Sequence, residues 1–312
     1  MSIQPSHTPQ PLLGLVGFGA FGRLMAQHLN AHFRILVHDP ALPPGPVEGH
    51  PAVKAAELAS VARCPIVVLA TPIDGLEEVV AALAPHLSAG TLVLDVGSVK
   101  VIPAAIMKRG LPADVDIVAT HPLFGPQSAR DGIAGLKIAV CPIRGRRGLR
   151  VAAFLRRALG LDVIITTPEA HDEDAAVVQG LTHLIAKVLV RMEPLPTRMT
   201  TRSFDLIMQA VGMVRHDSPA VFQAIERSNP YSAAVRDRFF RLAAALKLDL
   251  EDHAAGEASA PLVAGSPANG AQPSMPDRSR KHIDDDDTGD DQAKPEKGRR
   301  IEALLEPDPA HG

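Results

Sequence analysis

Seven short apolar runs, each followed by a more polar stretch, fill the first half of the chain and leave few folds open to it. LLGLVG (12–17), FRILVH (33–38), PIVVLA (65–70), TLVLDV (91–96), VDIVAT (115–120), KIAVCP (137–142) and DVIITT (162–167) are rich in Val, Ile and Leu, and several are apolar on both faces. Parallel strands buried on both sides have that composition. Between them, FGRLMAQHLNA, IDGLEEVVAALAPHL and RGLRVAAFLRRAL place apolar residues at three- and four-residue steps, as helices lying on a core do. This alternation predicts βαβ units and an α/β fold with a mostly parallel sheet over residues 12–167.

After Pro168 the strand-like runs stop. EAHDEDAAVVQGLTHLIAKVLVRM, RSFDLIMQAVGMVR, PAVFQAIERS and PYSAAVRDRFFRLAAALKLDLEDH predict an all-helical second domain over 168–253, with several helices opening at a proline or an acidic residue. That domain is small and very apolar, so it is expected to complete its core against the first domain or a second copy of itself, which makes a homo-oligomer the natural expectation. Residues 1–11 and 254–312 are expected to be disordered. The second of these segments is rich in Gly, Pro, Ser, Asp and Lys and contains DDDDTGDD, with too few apolar groups to offset chain entropy; its IEALLE is too short to be a stable helix alone.

Charge narrows the class of partner. The net charge is -3 and Lys and Arg are scattered, so the basic patch of a nucleic-acid binder is missing and a small-molecule partner is expected. No apolar stretch approaches the roughly 18 residues that span a bilayer, and MSIQPSHTPQP is no secretory leader, so the expectation is a cytoplasmic protein without a membrane partner. Cys64 and Cys141 lie inside apolar strand-like runs and read as buried thiols rather than a disulfide or metal ligands; no metal site is expected.

GFGAFG, Gly17 to Gly22, is G-x-G-x-x-G placed between an apolar strand and an amphipathic helix. Gly17 permits the tight turn, Gly19 lets the backbone approach a pyrophosphate, and Gly22 allows close helix packing; Ala20 and Phe21 belong to the same turn. The alternative is a glycine-rich turn with no ligand. Asp39 ends the next strand, 17 residues beyond Gly22, where a carboxylate accepts from ribose hydroxyls or is simply a solvated turn residue. A carboxylate there repels a 2′-phosphate, and HDPALPPG supplies no Arg or Lys to bind one, so NAD is favoured over NADP. Thr71 and Pro72, in ATPID, end a strand at the same sheet edge and are expected to line the nicotinamide side.

Two further loops open on that edge. DVGSVK gives Asp95, Ser98 and Lys100; THPLFGPQS gives His121, Gly125, Gln127 and Ser128. A histidine leaving a strand at the cofactor edge can accept a proton near neutral pH while a nearby serine holds the substrate hydroxyl; the other reading is a loop histidine satisfied by backbone.

GLVGFGAFG, VVLATP, LDVGSVK, THPLFGPQS and EAHDEDAAVVQGLTH together resemble the prephenate/arogenate dehydrogenases of tyrosine biosynthesis over about residues 12 to 250. The resemblance implies a Rossmann-type, doubly wound N-terminal domain, a helical dimerisation domain, and oxidative decarboxylation of a cyclohexadienol with a nicotinamide cofactor. It implies that His121 is the catalytic histidine, that Ser98 hydrogen-bonds the ring hydroxyl, and that His183 is a substrate-site histidine. Where family members often carry an arginine for a substrate carboxylate, alignment on the SP of QAVGMVRHDSP puts Met213, so Arg215 or His216 is the nearest substitute. Gln127 is neutral and offers an ammonium no ion pair, which favours prephenate over arogenate. The expected activity is therefore NAD-dependent prephenate dehydrogenase. Arogenate or dual use, action on an amino-substituted prephenate, and a non-catalytic NAD-binding sensor are the alternatives.

Overall fold

The computed structural model describes residues 10–258, with side chains as far as Asp252; of the ends expected to be disordered, 1–9 and 259–312 lie outside the described residues, whereas 254–258 continue the last helix. Residues 10–239 form one compact unit, and 240–258, the later part of the last helix, belong to another.

The first unit is built on strands β1 (Leu12–Val16), β2 (Arg34–His38), β3 (Gly45–Val47), β4 (His50–Ala55), β5 (Ile66–Leu69), β6 (Leu92–Asp95), β7 (Asp116–Pro122), β8 (Lys137–Arg144) and β9 (Asp162–Ile165). They form one sheet in the order β3-β4-β2-β1-β5-β6-β7-β8-β9. All pairings are parallel except β3 with β4 and β7 with β8. The chain runs outward from β1 through β2, then returns to β5 on the other flank of β1, which opens a crevice at the carboxyl ends of β1 and β5.

The two-residue period of the strands divides the core. Leu13, Leu15, Ile66 and Val68 face one layer, which α1 (Ala20–Leu29) shares with α5 (Gly148–Leu159). Val16, Val67, Leu69 and Val93 face the opposite layer, against α2 (Leu58–Ala62), α3 (Leu76–Leu83) and α4 (Val101–Gly110). On the α1 and α5 side the pair of helices leaves a cavity of about 110 Å³ over the middle of the sheet, apolar apart from His28 and Thr120 and bordered by Phe21 and Phe124.

Cys64 and Cys141 are buried and free, and burial pushes their thiols up to about 11 and about 12, so neither is a reactive thiolate near neutral pH.

Among the described residues, helices alone follow β9. They are α6 (Pro168–Arg191), α7 (Arg202–Val214), α8 (Pro219–Gln223), a π-helical turn at Ala224–Ser228, and α9 (Ser232–Ala258). Thr167, Thr201 and Ser218 cap α6, α7 and α8 by accepting from Ala170, Phe204 and Val221 N–H.

Two features differ from the sequence reading. The strands β3 and β4 lie within PPGPVEGHPAVKA, whose prolines and glycines argue against strands, yet β4 adds to β2 and β3 folds back on it as a sheet edge, where proline is tolerated. Strand β7 also runs on through His121 and Pro122, because β8 returns antiparallel and pairs with both. His121 therefore sits on sheet rather than in the loop.

Candidate active site

The glycine turn has the shape a dinucleotide needs. Gly17 holds φ +97°, and a Cβ there would meet Ala70 O at 2.5 Å; a Cβ on Gly22 would meet Gly17 O at 2.4 Å. Around Gly19 a Cβ would meet nothing within 4 Å, so the open side of the turn, at the start of α1, is free for a pyrophosphate. Asp39 braces the turn by accepting from Phe18 N–H at 2.7 Å and Ala41 N–H at 2.9 Å, and each oxygen keeps a lone pair for a ribose hydroxyl. Across the crevice, Thr71 Oγ1 is buried without a partner beside exposed Pro72. These groups fit a bound dinucleotide.

His121 stands at the far end of this crevice, 4% exposed. Its Nδ1 lies 2.8 Å from His171 Nε2, and His171 Nδ1 lies 2.8 Å from Asp172 Oδ1. Asp172 also accepts from Lys100 N–H at 2.7 Å and Val101 N–H at 2.9 Å, so it caps the N-terminus of α4 from a different helix. The order of donors follows from this fixed carboxylate. His171 must give its Nδ1 proton to Asp172, leaving Nε2 to accept from His121 Nδ1–H, and His121 Nε2 is left as a bare lone pair facing the crevice. The amide of Gln179, 3.4 Å away, is the group nearest to pairing with it, at a distance a substrate hydroxyl can improve on.

Lys100, fully buried, closes the base of the site. Its ammonium donates to Asp95 and, at 2.6 Å, to Thr120 O, the carbonyl just before His121. Burial raises the Asp95 carboxyl, against the pull of Lys100 and the Gly97 N–H. Burial, then His171 and then the Lys100 ammonium hold His121 well below the usual imidazole range. His121 is neutral at pH 7 and ready to accept.

The remaining candidate residues lie on several separate elements. Ser98 is half-buried in the turn between Asp95 and Lys100. Gln127 and Ser128 are exposed; Ser128 Oγ is taken up by its own loop, bonding Gly125 N–H at 3.0 Å and Gly125 O at 3.2 Å. His183 is buried on α6 and pairs through Nε2 with Asp217 at 3.1 Å. Arg215 makes two bonds to Glu193, at 2.9 and 3.1 Å, and His216 is exposed. The sequence reading used His171 only as a spacing mark and passed over Asp172, Gln179 and the burial of Lys100. An HD pair in the first turn of a long helix was the available signal.

Comparison with known proteins matches this architecture. Residues 52–140, from β4 through much of β8, match the family described as the nucleotide-binding domain of prephenate dehydrogenase. The chain is thus similar to prephenate and arogenate dehydrogenases. It is 27% identical over 186 residues to a probable arogenate/prephenate dehydrogenase of Methanocaldococcus jannaschii, covering 56% of this chain and 41% of that one. It is 28% identical over 261 residues to the chloroplastic arogenate dehydrogenase 1 of Arabidopsis thaliana, covering 76% of this chain and 39% of that one. The chain thus spans about two fifths of the length of these curated relatives. A prephenate dehydrogenase from Aquifex aeolicus, solved with hydroxyphenyl propionate and NAD+, shares the fold at TM-score 0.61 and 21% identity, over 81% of this chain and 94% of that one. No helix among the described residues is long and apolar enough to cross a membrane.

Proposed function

We propose that the chain is an NAD-dependent prephenate dehydrogenase, oxidising and decarboxylating prephenate to 4-hydroxyphenylpyruvate. The observation that carries the reading is the buried chain Asp172–His171–His121, which leaves His121 Nε2 unprotonated near the carboxyl end of β7, with the Gln179 amide 3.4 Å from it. Gly17, Gly19, Gly22, Asp39 and Thr71 would hold NAD, which supplies the hydride acceptor when bound. His121 Nε2 accepts the proton of the C4 hydroxyl as that carbon loses its hydride. The imidazolium so formed is disfavoured by burial, by His171 and by Lys100, so it gives the proton back as loss of CO2 makes the ring aromatic. Ser98 would hold the same hydroxyl, and the β7–β8 pairing would fix His121 for an orientation-dependent step.

The neutral, exposed Gln127 supports prephenate over arogenate. Asp217 beside His183 supports the second reading, since a carboxylate there favours the ammonium group of arogenate. Val178, Ile185, Val188, Leu206 and Ile207 on α6 and α7 are exposed apolar groups that a second copy of the chain would cover.

Initial rates of NADH and NADPH formation with prephenate and arogenate, measured separately, test the assignment. Turnover of prephenate with NAD is expected; preference for arogenate keeps the mechanism and reverses the Gln127 argument, and no turnover of either removes the reading. Asp39→Asn is expected to raise KM for NAD about tenfold or more and to narrow the preference over NADP, because a ribose hydroxyl loses a charged acceptor and a 2′-phosphate loses a repelling one.

A further inference from the structure

Resting on the proposed oxidation of prephenate, we propose that Lys187 is the cation that receives the carboxylate of the substrate's side chain, with Phe222 as the wall of that subsite. The arginine expected for this role is absent. Met213 occupies its place in the sequence, and Arg215, the nearest substitute, is held by both oxygens of Glu193. Lys187 is half-buried, and among the described residues no carboxylate lies within ion-pair distance of it. Its ammonium instead sits 5.4 Å from the ring centroid of Phe222, whose ring is 6.4 Å from that of His183. Asp217, the acidic group at this end of the helix, is hydrogen-bonded to His183. An ammonium that is partly desolvated and lacks a counterion attracts an anion strongly.

The spacing fits a substrate gripped at both ends. Gln179, His183 and Lys187 follow one another at four-residue steps along one stripe of α6, beginning at the residue that reaches His121. Eight residues advance the helix by about 12 Å, but helical side chains lean toward the N-terminus, so the long Lys187 chain brings its charge back toward the turn of His183. A para-substituted six-membered ring with its substituents spans roughly 6–8 Å by ordinary bond lengths. With its hydroxyl at His121, such a ring carries its side-chain carboxylate to the level of His183 and Lys187. The buried Oε1 of Gln179, which has no donor, lies on the same stripe.

The test is calorimetric binding of 3-(4-hydroxyphenyl)propanoate and of 4-ethylphenol, the same ring without the carboxylate, to the full chain and its variants. The wild type is expected to prefer the acid. Lys187→Met should weaken the acid by about 10- to 100-fold and leave 4-ethylphenol unchanged, Lys187→Arg should retain most of the preference, and KM for prephenate should rise more than kcat falls in Lys187→Met. Equal binding of the two probes by the wild type, or an unchanged preference in Lys187→Met, overturns the proposal. A Lys187-dependent preference in a protein that turns over neither prephenate nor arogenate removes the oxidation reading and leaves the carboxylate subsite. Normal turnover with an unaffected Lys187→Met does the reverse.

Discussion

Replacing His121 by asparagine is expected to lower kcat/KM for prephenate by about 10² to 10⁴, the usual contribution of a positioned general base. Asparagine nearly matches the space of the imidazole and keeps a donor for His171 Nε2, 2.8 Å away in the native site, so the Asp172 cap on α4 should survive. Affinity for NAD, measured by fluorescence quenching, should change little. The same substitution has a signature in stability. His121 is held well below 6.5 in the folded chain and returns to about 6.5 on unfolding, so between those values the unfolded state binds the extra proton. Stability therefore falls as pH drops below about 6.5 through that window, and His121→Asn should flatten this part of the profile. An unchanged rate in His121→Asn would assign the histidine to structure alone.

Lys100→Met carries the largest expected cost in stability, about 3–5 kcal/mol, because it strands the Asp95 carboxylate in the core. Asp95 already has one oxygen, Oδ1, without a close partner, and the help that remains comes from the backbone of Gly97 and Thr120. The measurement is the urea midpoint at pH 7. A second variant, Asp95→Leu with Lys100→Met, should recover much of the loss, since an apolar pair removes both desolvated charges. Equal losses in the single and double variants would show that the bond from Lys100 to Thr120 O, rather than the ion pair, is what matters.

The parts of the site that were legible in the sequence are those fixed by local spacing. GFGAFG between a strand and a helix, and Asp39 at the end of the next strand, lie within one βαβ unit, and the structure finds the turn and its bracing carboxylate where that spacing put them. His121 stood out in the sequence as a candidate near the end of a strand, but its place on the sheet depends on β8 returning antiparallel, which no window around residue 121 contains. The strands β3 and β4 were hidden by Pro46, Gly49 and Pro51, and they exist because β2 offers an edge to pair with. The donor chain was hidden for the same reason. His121 and His171 are 50 positions apart, and Asp172 meets Lys100 N–H across 72 positions, so only the packing of α6 on α4 brings them together. Arg215 was a fair candidate by sequence until Glu193, 22 residues earlier, was found against it.

The central claim is that His121, kept neutral by burial and oriented by His171, is the proton acceptor in oxidation of prephenate. The most direct measurement is the pH dependence of kcat/KM for prephenate with saturating NAD, for the wild type and for His171→Gln. The account predicts an acid limb below pH 6.5 in the wild type, moving upward in His171→Gln as the imidazole loses a neighbour that holds it down. A limb at or above 6.5 in the wild type, or one that does not move in the variant, would contradict it.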